Sequence, residues 1–152
     1  MTKITENHIE TFAIEILERL GYEYIYAPEI APDSENPQRE SFQQVLLVSS
    51  LEKAIKRINP TLPIEVLNEA IKEIERIVSP ELTTNNETFH RLLTEGIPVT
   101  KTVEGNERGD RVWLIDFKNP LNNDFIVANQ FTIIENGNNK RPDVILFVNG
   151  IP

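Results

Sequence analysis

The sequence predicts an α/β fold on the border of α+β: a mixed sheet with helices packed against it. Three observations carry this expectation. Residues 5–20 repeat apolar side chains at helical spacing. Residues 41–95 contain three further helical patterns. Residues 99–148 break into four strand-like runs separated by turn signals. The resulting order is helix, strand, three helices and four strands, which calls for helices laid on a mixed sheet.

In the first helix Thr5 is the expected N-cap, and Glu6 puts an anion in the first turn, where the helix dipole favours it. Ile9, Phe12, Ala13, Ile16, Leu17 and Leu20 form one apolar face, expected to pack on the sheet. Gly21 suits the C′ position, and Tyr22–Tyr26 reads as a short strand. Residues 27–40, with three prolines, read as loop. A helix is expected over 41–58, stopped by Asn59-Pro60, with Leu47, Leu51, Ala54, Ile55 and Ile58 on one face. A second is expected over 64–78, with Leu67, Ala70, Ile71, Ile74 and Val78 inward, and a third over 86–95, closed by Gly96. Strands are expected at 99–104, 112–117, 125–135 and 143–148, joined by turns at 105–110, 118–124 and 136–139. Residues 97–148 should form one sheet. Asn149-Gly150, following the last apolar run, is a strong hairpin signal.

A chain of 152 residues suggests a single domain, 1–152. There is no cysteine, which rules out a disulfide framework and thiolate metal sites and suits the reducing cytoplasm. Neither a signal-peptide h-region nor a membrane-length apolar run is visible. The net charge of −9 argues against a surface that is basic throughout. The acidity is uneven. Residues 1–95 hold 9 Lys/Arg against 17 Asp/Glu, while residues 96–152 hold 6 against 7. The strand-rich half therefore has Arg108, Arg111, Lys118, Lys140 and Arg141 available for phosphates.

Nucleophilic chemistry finds little support. His8 and His90 are the only histidines, and both lie on helices, where capping or solvation is the ordinary role. No nucleophile elbow, P-loop or dinucleotide fingerprint is present. Carboxylates remain. Most are helix-surface charges, but Asp143 follows Pro142 and opens an apolar strand. Turn chemistry is the common reading of such an aspartate, and a functional one the minority reading. Asp116 and Asn129-Gln130 also interrupt apolar runs and need hydrogen-bond partners.

Longer words carry a resemblance. "RPDVILFVNGIP" (141–152) resembles the signature segment of the restriction subunit of type I restriction-modification enzymes. "LGY" at 20–22, "RINPTLP" at 57–63, "LLTEGIPV" at 92–99, "LIDF" at 114–117 and "NQF" at 129–131 follow in that family's order. The resemblance covers essentially the whole chain. It implies the N-terminal part of a PD-(D/E)xK nuclease: a restriction-endonuclease-like mixed sheet flanked by helices and incomplete at the C-terminus, with residues 41–95 as a helical insertion.

The resemblance further implies that Asp143 is a catalytic Mg²⁺ ligand and that a Glu-x-Lys pair on the next strand has no counterpart before Pro152. A glutamate from the first helix completes such sites in related nucleases; Glu10 is the first candidate and Glu6 the second. Lys140 and Arg141 are the implied DNA contacts. The implied partners are double-stranded DNA and the modification and specificity subunits. ATP would serve translocase domains that, with the helical assembly region, are absent from this chain. On this reading the 152 residues are inactive alone. The rival reading is a non-catalytic module that binds a protein partner through the acidic helical region, with Asp143 only capping a strand. In neither reading is a membrane involved.

Overall fold

The structure, a computed structural model, describes residues 5–77 and 82–152. It is an α/β fold. In chain order the elements are α1 (Glu6–Arg19), β1 (Glu23–Tyr26), α2 (Val48–Ile58), α3 (Ile64–Glu75), α4 (Leu82–Glu95), β2 (Ile97–Val103), β3 (Asn106–Val112), β4 (Phe125–Asn129), β5 (Ile133–Glu135), β6 (Asn138–Lys140) and β7 (Val144–Val148). The chain divides into two compact units. One comprises residues up to Ser50 together with Asp124–Pro152, and the other Leu51–Asn123.

The first unit is built on a three-stranded sheet of order β1-β4-β7, with β4 parallel to β1 and antiparallel to β7. One face carries Ile25, Ile126, Ala128, Ile145 and Phe147, which pack with Ala27, Ile30, Leu47 and Phe131 as the unit's core. Phe131 and Phe147 meet with ring centroids 5.3 Å apart. By strand alternation the other face carries Tyr24, Val127, Asn129 and Leu146, and α1 lies there against β1 and β4. In the second unit α3 packs on the β2-β3 ribbon, and Leu67, Ala70, Ile71, Ile74, Leu92, Ile97, Val112 and Leu114 are buried.

Several expectations need correction. Residues 97–148 do not form one sheet: β2-β3 and β5-β6 are separate two-stranded ribbons. The 125–135 run breaks at Gln130, whose φ of 57° is left-handed and cannot continue a strand. The stretch 105–110, read as a turn, is largely β3. Only Glu104-Gly105 turns, with φ of 52° and 79°, as the type I′ geometry requires at both central positions. Asn136-Gly137 makes an equivalent turn at φ 51° and 76°, so 138–140 becomes a strand.

The expected strand 112–117 ends at Val112. Asn59 captures the Trp113 backbone at both its N–H and C=O groups, and Asp116 accepts the Lys118 and Asn119 N–H groups. The helix expected from 41 begins at Val48. The backbone before it is committed elsewhere: the Phe42 C=O accepts from the Ile134 N–H, and the Leu47 N–H donates to the Gly150 C=O. Val78 lies outside the described residues.

The face of α1 also differs from expectation. Ile9, Phe12, Ile16 and Leu20 are exposed, at 62%, 62%, 40% and 72%. Of the expected face Ala13 and Leu17 are withdrawn from solvent, and Glu10 and Ile14 join them in the stripe that docks. That stripe has the same helical spacing, turned so that Glu10 reaches a polar partner on the sheet. Thr5 caps the start with His8: the Thr5 N–H donates to His8 Nδ1 at 3.3 Å.

Candidate functional site at one end of the three-stranded sheet

Strand directions bring the C-terminal ends of β1 and β4 beside the N-terminal start of β7, with Tyr26 paired to Asn129 and Asn129 to Val144. Asp143 immediately precedes β7 and is exposed. Its carbonyl accepts from the Gln130 N–H at 3.4 Å, so the left-handed residue that ends β4 is tied to the aspartate's own backbone.

Glu10 reaches this same end from α1. Its Oε1 accepts from Asn129 Nδ2 at 2.7 Å and from Gln130 Nε2 at 3.4 Å. Tyr24 completes the chain by donating its hydroxyl to Asn129 Oδ1 at 2.9 Å. Asn129 is therefore held from both sides, which fixes its flip: the amide nitrogen faces the carboxylate and the oxygen faces the phenol. The partial burial of Tyr24 is the main reason its pKa lies above the usual value; Tyr26 adds to the rise, and the Asn129 bond opposes it.

The structure thus places Glu10 and Asp143 at one end of one sheet, through Asn129 at the end of β4 and Gln130 just after it. Glu6 opens α1, and its side chain lies outside the described residues. Lys140 ends β6 and pairs with Glu135, so its charge is partly countered. Arg141 is exposed on the short connection to β7. His8 caps its helix. Asp116 belongs to the other unit and organises a turn. Its carboxyl is held below its usual value chiefly by the Asn119 N–H, then by the Asn122 side chain. Among the described residues no group of three His, Cys, Asp or Glu converges as a metal cluster.

Sequence reasoning singled out Asn129-Gln130 only as polar residues in need of partners. Their role in fixing Glu10 was readable only once β4 was known to stop there. Tyr24 was missed entirely, because a tyrosine in a short strand gives no signal of a partner 105 residues away.

In this α/β unit Glu10 and Asp143 are carboxylates near the end of the sheet where β1 and β4 finish and β7 starts. The family to which the chain belongs follows from comparison. The sequence model of the type I restriction enzyme R protein N terminus matches residues 3–152. The chain belongs to that family. It is 37% identical over 154 residues to the MjaIXP type I restriction enzyme endonuclease subunit of Methanocaldococcus jannaschii, a match covering 99% of this chain and 15% of that protein. It is 33% identical over 150 residues to the HindI type I restriction enzyme endonuclease subunit of Haemophilus influenzae, covering 98% of this chain and 14% of that protein. The chain thus spans about one-seventh of the length of these relatives. No solved structure matches it.

Among the described residues no helix is long and apolar enough to cross a membrane.

Proposed function

We propose that this chain supplies the first part of a Mg²⁺-dependent nuclease centre that cuts double-stranded DNA in a type I restriction complex. The observation that supports it most is the pairing of Glu10 with Asn129, which turns an otherwise ordinary helix glutamate onto the sheet end where Asp143 immediately precedes β7. Two carboxylates and no nitrogen or sulfur ligand suit Mg²⁺, which takes one or two carboxylates and keeps several waters. When bound there, the metal would stabilise charge on a phosphodiester and lower the pKa of water.

The chain's own groups have separate tasks. Asp143 and Glu10 hold the metal. Asn129, braced by Tyr24, orients Glu10. Gln130 couples the two carboxylate-bearing segments through one side-chain and one backbone bond. Arg141, and Lys140 after release from Glu135, meet the DNA backbone. Asn149 and Gly150, with φ of 54° and 80°, form a type I′ turn, and Val148 and Ile151 exchange both backbone hydrogen bonds at 2.9 Å. The returning strand begins there, and a Glu-x-Lys on it would complete the centre. The site should be inert without that pair. ATP-driven translocation, and docking on modification and specificity subunits, would belong to the rest of an intact subunit.

The test is Asp143→Asn in a restriction complex that carries this segment at the start of its endonuclease subunit. Cleavage should fall to background while ATP hydrolysis persists, because the change removes the charge the metal needs and keeps local hydrogen bonding. Wild-type cleavage at ordinary Mg²⁺ concentration would end the assignment of Asp143.

A further inference from the structure

The second unit leaves two large aromatic side chains in solvent beside cations. Between Arg111 and Lys118 the chain buries Val112 and Leu114 completely, yet Trp113 is 40% and Phe117 59% exposed. Trp113 lines two clefts. The first, shallow and about 610 Å³, is also lined by Thr100, Gly109 and Arg111. The second, about 450 Å³, is also lined by Ile115, Phe117 and Lys118. Trp113 is held in place. The buried Asn59 bonds its N–H and C=O groups at 2.8 Å each. Its ring rests on the corner between α4 and β2, where a Cβ on Gly96 would stand 3.3 Å from Cε3. Arg111 is tied to the same corner, its Nη1 donating to the Glu95 and Gly96 carbonyls at 2.7 and 3.4 Å. A fixed ring and a fixed cation therefore stand side by side, next to the open space over Gly109.

The carboxylates of the two clefts already have partners. Asp110 pairs with Lys101 and accepts from the Arg111 N–H at 2.8 Å. Asp116 accepts from the Lys118 and Asn119 N–H groups and from the Asn122 side chain, and the Lys118 charge contributes least to lowering its pKa. Among the described residues neither Arg111 nor Lys118 makes an ion pair. Nor is the acidity of the chain centred here: residues 51–123 hold 10 Lys/Arg against 12 Asp/Glu, and the rest of the chain 5 against 12. An apolar peptide would use the rings and leave both cations unanswered. A duplex would meet the cations and keep its base faces from the rings. A single strand supplies phosphates to the cations and open base faces to the rings. Two rings, each beside a cation, match successive nucleotides of one strand, whereas a lone nucleotide would fill one cleft.

We propose that Trp113 and Phe117, with Arg111 and Lys118, form a stacking platform for single-stranded nucleic acid. All four residues belong to the unit that lacks Glu10 and Asp143. The platform therefore goes beyond the nuclease reading and stands whether or not that reading does.

Trp113 is the single tryptophan, so its emission in the 152-residue chain reads the platform directly. Oligothymidylate of about a dozen nucleotides should quench that emission saturably at low salt. Oligouridylate in a second arm distinguishes DNA from RNA, and saturable quenching by either supports the platform. Affinity should fall as salt rises, and Lys118→Gln should make the log–log slope shallower by about 0.7. Phe117→Leu, an exposed change that keeps apolar surface and removes the ring, should weaken binding about tenfold, and Phe117→Tyr should keep it. A DNA duplex and a tryptophan-free amphipathic peptide are titrated in parallel. Absence of quenching by both single strands overturns the proposal. So does an equal response to the duplex, which charge alone would explain. Undiminished binding by a folded Phe117→Leu chain, or a response to the peptide alone, makes this an apolar docking face and overturns it. A salt slope unaltered in Lys118→Gln overturns it too.

Discussion

Asn129→Ala removes the side chain on which the candidate site turns. Two hydrogen bonds are lost: one to the Glu10 carboxylate at 2.7 Å and one from the Tyr24 hydroxyl at 2.9 Å. The first is charge-assisted, but Glu10 is only half-buried, so the low end of the usual range applies, about 1.5 kcal/mol. The second is neutral and contributes about 1 kcal/mol. Together they give about 2.5 kcal/mol, which at a urea dependence of about 2 kcal/mol per molar moves the midpoint by roughly 1.2 M. The chain offers a convenient assay. Its three tyrosines, Tyr22, Tyr24 and Tyr26, all lie in the unit containing α1, and its single tryptophan, Trp113, lies in the other. A tyrosine signal therefore reports the perturbed unit directly. Glu10→Ala combined with Asn129→Ala should show a coupling of about 1.5 kcal/mol, since each single change already removes the shared bond. A tyrosine midpoint that does not move in Asn129→Ala would refute the reasoning. So would strict additivity in the double variant, because Glu10 would then be an unattached surface charge.

Other perturbations act on the second unit. Asn59 is 5% exposed and bonds the Ile55 carbonyl and both backbone groups of Trp113. Asn59→Ala should cost about 3 kcal/mol by stranding buried backbone groups, measured as an earlier Trp113 transition in urea. Asp116 has a carboxyl held below its ordinary 3.8, mainly by the Asn119 N–H. Its contribution is therefore present above that value and lost as pH falls through the lower folded value. The acid limb of the Trp113 transition should flatten in Asp116→Ala. Glu104 sits at a φ of 52° in the β2-β3 turn. Glu104→Asn, better suited to that conformation, should stabilise the ribbon by about 0.5 kcal/mol in thermal melts.

What was legible in the sequence was decided by local chemistry, and what was not depended on distant partners. The Asn149-Gly150 hairpin was readable because two residues suited to positive φ dictate the turn by themselves. The α1 helix was readable for the same kind of reason, yet only Ala13 and Leu17 of its expected inward face turn inward. Two apolar stripes compete on α1, and the periodicity of Ile9, Phe12, Ile16 and Leu20 is the more conspicuous. The polar bond from Glu10 to Asn129 accompanies docking of the other stripe, and nothing in residues 5–20 announces a partner on β4. The same asymmetry explains the broken strand at Gln130. Phe125 to Glu135 reads as one apolar run, but distant partners hold the chain where it leaves the sheet: the Asp143 carbonyl at Gln130, Arg39, 93 residues before Thr132, at the Thr132 carbonyl, and the Phe42 carbonyl at Ile134. Glu10, Asn129 and Gln130, polar residues beside apolar runs, are thus one hydrogen-bonded set once the chain is folded. Their positions argue that the break of β4 at Gln130 and the turned face of α1 arise where polar groups were retained at the sheet end.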